Sequence, residues 1–437
     1  MRLKGKRVLV YGMGISGQAA CKLLHEKGAI VSIYDDEKRF SGYFNFEKEP
    51  MKRKYNLVVI SPGVKILGNA LVSHFLIEKI PLISELDLGY LNFHGQIIAI
   101  TGTNGKTTVS SLCGDIFKKS GKKTFVCGNI GLPLSSVALS DTKNSYAICE
   151  VSNFQLEGSK YFTSNLSCVT NITPDHLDRH GSMEEYIRVK RKIISKKRGQ
   201  KVVLNLDDDI ARSFCQDNKK VLFFSKRLLN KGVFVKNNAI YFNKTKIISL
   251  NDIPLFGEKN LENVLASVAI ACKYRIKPAV IKKAIMKFKA PAHRLEWLGQ
   301  VEGAEVFDDS KATNIAAALA SINSLGDKNL VVLFGGENKN CEFDELFNKG
   351  YDYEQIICFG QSGEEIADCA RKYGYTCEVF PTMKQAADFV RAGARSGQKI
   401  LLAPACASFD EFASYAARGE IFKEIMFGNY QKIEMSS

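Results

Sequence analysis

The chain has no apolar run near the ~20 residues that a membrane-spanning helix needs. Its basic start leads into Val8 to Tyr11, far too short for the apolar core of a secretory signal. A soluble, cytoplasmic protein without a membrane span is therefore expected. Cys-x-x-Cys is also missing. The 12 cysteines are scattered singly over 437 residues, which argues against a disulfide framework and against a zinc knuckle. Most should be reduced and buried. No nucleic-acid motif accompanies the basic runs Lys118-Lys119, Lys122-Lys123 and Lys190 to Arg198. The net charge of +15 then reads as solvated helix faces with a general pull on anions, and no nucleic-acid partner is expected. Nothing points to an oligomer, so a monomer is expected.

What is present is ordinary globular composition, 45% hydrophobic, in a chain long enough for two to four domains. Residues 97 to 108 read Ile-Ile-Ala-Ile-Thr-Gly-Thr-Asn-Gly-Lys-Thr-Thr. An apolar strand breaks into a glycine turn and then a helical pattern through Val109, Leu112, Ile116 and Phe117. Backbone N–H groups and a helix start in that setting hold phosphate oxygens. Lys106 would reach the terminal phosphates, and the Thr107 hydroxyl would touch a bound Mg²⁺. The usual loop has a further glycine where Ile100 stands, so this loop is short. The competing reading is a tight strand-to-helix turn with an exposed lysine.

Upstream, Arg7 to Tyr11 leads into Gly12-Met13-Gly14-Ile15-Ser16-Gly17, a full G-x-G-x-x-G. A helix pattern follows, then the strand Ile30 to Tyr34 and Asp35. This is the dinucleotide fingerprint, so an NAD-dependent dehydrogenase is the rival reading. A nucleotide-diphosphate substrate would be served by the same physics. Leu57 to Ile60 is another strand, with Ser61-Pro62-Gly63-Val64 turning at its carboxyl end. The domain closes near residue 92.

Downstream, Tyr146 to Glu150 is an apolar strand ending in an acid. A carboxylate there suits Mg²⁺ beside the loop's phosphates, or simply starts the next helix. The strand around Cys168 exits through Asn171, Asp175, His176 and Asp178. An amphipathic helix carrying Tyr186 and Lys190 follows. Asn260 and Asn263 share a face near the start of a long apolar helix, with capping the alternative role for Asn260. Pro291 to Arg294 reads as a hinge. Beyond it, strands at Val306-Phe307, Asn329 to Phe334, Gln355 to Phe359 and Lys399 to Ala403 alternate with helices, as in a small doubly wound unit. Their exits bring Lys311, Thr313, Lys339 and Ser408 to one sheet edge, a set suited to carboxylates.

With those residues assembled, the chain resembles the Mur ligases, the ATP-dependent amide-forming enzymes of peptidoglycan precursor synthesis, over essentially its full length. Gly102-Thr-Asn-Gly-Lys-Thr107 is similar to the family's short ATP loop. Asp309-Ser-Lys-Ala-Thr-Asn314 and Pro404-Ala-Cys-Ala-Ser408 look like the branch that adds D-glutamate. The resemblance implies an α/β protein of three domains. These are a Rossmann-like UDP-substrate domain (1–92), a central P-loop-type ATPase domain with a mainly parallel sheet (93–291), and a Rossmann-like amino-acid domain (292–437). It implies ATP contacts at Gly102, Thr103, Asn104, Gly105, Lys106, Thr107, Thr108, Asn260, Asn263, Arg294 and Asp309, with His293 nearby. Mg²⁺ would be held by Thr107, Glu150, His176 and Lys190, the last as a CO₂-derived carbamate. UDP-N-acetylmuramoyl-L-alanine would lie on Gly14, Ile15, Ser16, Asp35, Ser61, Gly63 and Asn129. D-Glutamate would lie on Lys311, Thr313, Lys339, Ser408, Phe409 and Tyr415. Lys106, His176, Lys190 and Lys311 would be catalytic. The family pairs an acid after the second strand with a nearby arginine; here the run is Asp35-Asp36-Glu37-Lys38-Arg39.

Overall fold

The computed structural model describes residues 2–37, 43–194, 199–217, 221–255, 257–338 and 341–428. The chain divides into two compact units. The first comprises Met1–Ile172, Ser182–Ile253 and Glu262–Phe288; the second comprises Thr173–Gly181, Pro254–Leu261 and Lys289–Ser437.

The first unit holds two sheets. One contains β1 (Arg7–Tyr11), β2 (Ile30–Tyr34), β3 (Asn45–Phe46), β4 (Leu57–Ile60) and β5 (Leu82–Ser84), in the order β3-β2-β1-β4-β5 and all parallel. Continuous apolar runs form β1 and β4 because helices cover both faces of a parallel sheet. The chain reverses its winding between β1 and β4, which opens a crevice at their carboxyl ends.

The other sheet has nine strands: β6 (Gln96–Thr101), β7 (Thr124–Gly128), β8 (Tyr146–Glu150), β9 (Leu166–Val169), β10 (Lys201–Asn205), β11 (Val221–Ser225), β12 (Val233–Lys236), β13 (Ala239–Phe242) and β14 (Thr245–Ser249). Their order is β14-β13-β12-β11-β10-β9-β6-β8-β7. Pairing is parallel from β7 to β12 and antiparallel through β13 and β14. β6 lies between β8 and β9, so the glycine turn that follows β6 sits at the point where the winding reverses.

One apolar core runs through both sheets, from Val8 and Val59 to Ile97, Cys149 and Val202. Two buried carboxylates on the helix Glu85–Asn92 join the sheets further. Glu85 Oε1 accepts from the Ser135 N–H (2.8 Å) and hydroxyl (2.5 Å). Asp87 accepts from the Ser159 hydroxyl and from the N–H groups of Lys160, Tyr161 and Phe162, all within 2.9 Å.

The second unit is built on β15 (Glu296–Val301), β16 (Ala304–Asp308), β17 (Leu330–Gly335), β18 (Gln355–Phe359), β19 (Cys377–Phe380) and β20 (Lys399–Ala405), ordered β15-β16-β20-β17-β18-β19. All pairs are parallel except β15 with β16. Apolar clusters cover its two faces. No described helix is long and apolar enough to cross a membrane. None of the 12 cysteines is in a disulfide, and Cys341 alone is exposed.

Candidate active site

The turn after β6 is shaped by contacts that only glycine permits. Gly102 has φ +155°, and a Cβ there would stand 1.9 Å from Thr170 Oγ1. Gly105 is left-handed (φ +83°), and a Cβ there would stand 2.1 Å from Asn263 Oδ1. The exit of β9 fixes the turn from the side. Asn171 O accepts from Thr103 N–H and Asn171 Oδ1 from Asn104 N–H, both at 2.9 Å, while the Thr170 hydroxyl donates to Asn104 O at 2.7 Å. Gly105 then caps the helix Lys106–Lys119, whose first N–H groups face the turn.

Two amines converge on the same carbonyl. Lys106 Nζ donates to Gly102 O (2.9 Å) and Thr103 O (2.6 Å), and Lys190 Nζ donates to Gly102 O (2.8 Å). Lys190 is buried on the helix Met183–Arg191, 4.8 Å from the centre of the Tyr186 ring, and the Tyr186 hydroxyl pairs with Thr103 Oγ1 at 3.0 Å. The Lys106 cation and the helix N-terminus make the turn a cradle for anions.

A cation fits beside it. Glu150 is buried at the end of β8, in register with Ile100, just before the turn. Its Oε1 accepts from Asn129 Nδ2 at 2.9 Å, and its Oε2 is buried with no hydrogen-bond partner among the described residues. A desolvated carboxylate oxygen left in this way suits coordination to a hard cation. Thr107 is half-buried at the first turn of the helix and Thr108 is buried behind it.

A cavity of about 520 Å³ opens at the carboxyl ends of β1 and β4. Gly14, Ile15, Ser16, Asp35, Ser61, Gly63 and Asn129 all line it. Asp35 is buried, and its carboxylate accepts from the backbone: Oδ2 from Met13 N–H (2.7 Å) and Oδ1 from Glu37 N–H (2.9 Å). The acid that a dinucleotide fold aims at a ribose hydroxyl therefore braces the glycine turn. Tyr11 donates instead to Asp36 Oδ2 at 2.6 Å and accepts from Asn69 Nδ2 at 2.9 Å, which aims polar groups into the cavity. Lys38 and Arg39 lie outside the described residues.

The remaining predicted residues belong to the second unit, except Asn263, which belongs to the first. His176 is left-handed (φ 53°), opens the short helix Leu177–His180, and has its Nε2 3.5 Å from Asp175 Oδ2. It is thus not gathered into one unit with Lys106, Glu150 and Lys190. The Asp178 side chain lies outside the described residues. Asn260 and Asn263 also fall in different units. Asn260 is the third residue of the helix Glu258–Lys273, so the capping alternative fails: the helix begins before it. Asp309 is buried and accepts from the Ser321 hydroxyl. Burial pushes its carboxyl up to about 7, against the pull of Ser321 and of the Arg294 charge. His293 Nδ1 lies 2.6 Å from Asp308 Oδ2, and that contact holds the imidazole above its ordinary pKa. Lys311 Nζ sits 3.7 Å from the centre of the Tyr415 ring. Thr313 is half-buried, Ser408 is buried and Phe409 is exposed; Lys339 lies outside the described residues. Sequence reading missed the part of Thr170 in holding the turn and that of Tyr186, whose place in an amphipathic pattern signalled only a core position.

A parallel sheet that ends in this cradle defines a phosphate-loop α/β protein. Residues 100–271 match the Mur ligase middle domain, and residues 293–406 match the Mur ligase, glutamate ligase domain. UDP-N-acetylmuramoylalanine–D-glutamate ligase of Thermoanaerobacter sp. (strain X514) is 39% identical over 97% of this chain and 98% of the relative. The protein of the same description from Koribacter versatilis is 36% identical over 98% of each. Among solved structures, a pseudomurein peptide ligase type C from Methanothermus fervidus aligns over 96% of this chain and 100% of its own, with a TM-score of 0.63 at 19% identity. UDP-N-acetylmuramate-alanine ligase from Thermotoga maritima aligns over 97% and 100%, with a TM-score of 0.60 at 16% identity. These two share the fold. The chain belongs to the Mur ligase family.

Proposed function

We propose that the chain is the ADP-forming ligase that joins D-glutamate to UDP-N-acetylmuramoyl-L-alanine in peptidoglycan precursor synthesis. Its full-length likeness to ligases of that description carries the reading. The cradle gives the chemistry a place. An amide does not form readily from a carboxylate, because oxide is a poor leaving group. ATP first phosphorylates the terminal carboxylate of the UDP substrate. The D-glutamate amine then attacks the acyl phosphate, and the tetrahedral intermediate expels phosphate.

The residues divide this work. The turn Gly102–Lys106 orients the triphosphate, and Lys106 neutralises charge as the phosphoryl group moves. Thr107, Glu150, His176 and Lys190 as a carbamate would hold Mg²⁺, which supplies Lewis-acid neutralisation of the phosphates. The orphaned Glu150 oxygen supports that assignment, and the burial of the Lys190 amine against the turn supports a role for Lys190 there. Asn260, Asn263, Arg294 and Asp309 are assigned to the nucleotide, and Gly14 to Ser16, Asp35, Ser61, Gly63 and Asn129 to the UDP substrate. Lys311, Thr313, Lys339, Ser408, Phe409 and Tyr415 are assigned to D-glutamate. The three sheets support domains at 1–92, 93–291 and 292–437. A monomer in the cytoplasm is the proposed working form, and cysteines outside disulfides support the cytoplasm.

An ADP-release assay across candidate amino acids tests the reading. ADP should appear only when the UDP-sugar–alanine and D-glutamate are both present, and Lys106→Ala should abolish it in a folded protein. Turnover with a different amino acid would leave a Mur-type ligase with another acceptor. Nicotinamide-dependent absorbance change would favour the dehydrogenase.

A further inference from the structure

Arg418 is the largest fully buried side chain among the described residues, and the chemistry above does not use it. It lies in the helix Tyr415–Phe427. A guanidinium has five N–H donors in a fixed plane. Here all five have acceptors. Nε donates to Ser310 Oγ (3.0 Å), Nη1 to Ala407 O (3.0 Å) and Gly335 O (3.5 Å), and Nη2 to Ser310 O (2.9 Å) and Cys406 O (3.1 Å). None of these acceptors is a carboxylate. Burial pulls the guanidinium down to about 10, with Asp308, Asp410 and Glu411 near enough to oppose the fall. It stays charged at neutral pH. Burying a charge on carbonyls is a costly way to fill space, and an apolar side chain would fill it more cheaply.

The placement of the acceptors explains the expense. Ser310 follows β16, Gly335 ends β17, and Cys406 and Ala407 follow β20. Two of these exits carry described residues assigned to the amino acid, Lys311 and Thr313 after β16 and Ser408 after β20, and the exit of β17 lies beside that of β20 in the sheet order. We propose that Arg418 is a positioning residue for the amino-acid site, holding three strand exits in one register so that their cations and hydroxyls meet a dicarboxylate together. It acts through the backbone and touches no substrate. This inference rests on the D-glutamate reading above.

The test separates the two halves of the reaction. Acyl-phosphate formation is followed without amino acid, by positional isotope scrambling in ATP when UDP-sugar–alanine is present. Complete turnover is followed with D-glutamate. Arg418→Met removes the charge. Arg418→Lys keeps it but offers three donors on a flexible stem, too few for the five acceptors. Both should lose on the order of 100-fold in kcat/KM for D-glutamate, as expected of a site displaced by about an ångström. Scrambling, and KM for ATP and the UDP substrate, should stay near wild type. Ser310→Ala deletes one acceptor and should show a smaller loss in the same direction, which decides the matter if Arg418→Met does not fold. A folded Arg418 variant that loses scrambling and turnover alike would overturn the proposal, because the residue would then be a general structural support. An unchanged D-glutamate kcat/KM in Ser310→Ala and Arg418→Lys would also overturn it. A wild-type enzyme that ignores D-glutamate would instead refute the function reading.

Discussion

Gly105→Ala is the sharpest probe of the phosphate cradle, because its cost has two parts that a second substitution separates. The backbone at Gly105 is left-handed, and an L-residue there costs roughly 1–2 kcal/mol. The added methyl would also lie 2.1 Å from Asn263 Oδ1, where real contacts begin near 3.0 Å. The amide must therefore retreat by about 0.9 Å. Asn263 is buried, so displacing its polar group adds about 1–3 kcal/mol. The single variant should lose roughly 2–5 kcal/mol in all. In an Asn263→Ala background no other atom lies nearer to the methyl than 3.4 Å, an ordinary contact, and only the backbone part remains. The double-mutant cycle should show a coupling of about 1–3 kcal/mol, well above the ~0.5 kcal/mol scatter of independent sites. Urea unfolding of the four proteins, compared at one denaturant concentration, measures it. Additive losses would mean that Asn263 does not press on the loop, and the geometry built around Gly105 would fall.

Three further outcomes are expected. Lys190→Ala should be inactive and partly recovered by short carboxylates, and no recovery would refute the carbamate. Glu150→Gln should raise the Mg²⁺ concentration needed for half-maximal activity by about tenfold or more, since a neutral amide is a weaker ligand; an unchanged titration would remove Glu150 from the metal site. Asp309 should make stability pH-dependent. Its folded pKa, raised by burial to about 7, means that its contribution is full below the unfolded value of 3.8 and is lost as pH rises through about 7. The shift corresponds to about 4 kcal/mol at most. The stability of the wild type relative to Asp309→Asn should therefore decline between pH 4 and pH 8, and a flat difference would contradict the burial.

The strands that carry the sites were legible because they are continuous apolar runs closed by turn residues. Arg7–Tyr11, Ile30–Tyr34 and Leu57–Ile60 fall where the pattern puts them. The antiparallel additions β13, β14 and β15 were harder, since short half-buried strands carry little periodicity. Phosphate and diphosphate turns were legible through their glycines. The braces around them were not. Asp35 reads as the acid of a dinucleotide fingerprint, and no sequence pattern singles out Glu85, Asp87 or Arg418. Each proves buried, and its partners come from distant sequence: Ser135 for Glu85, Ser159 to Phe162 for Asp87, Ser310 and Cys406 for Arg418. No local pattern encodes contacts across 50, 75 or 108 residues.

Glu85 and Asp87 bear on any attempt to dissect the chain. The sheets invite a cut after residue 92, to express the ATP-handling part alone. That cut would strip acceptors from the backbone N–H groups of Ser135, Lys160, Tyr161 and Phe162, and from the hydroxyls of Ser135 and Ser159. It would also remove the helices Ile15–Glu26 and Glu85–Asn92, which pack against Leu134–Val137. A fragment starting at residue 93 should clump on expression, and a usable minimal piece must carry the Glu85–Asn92 helix along with it.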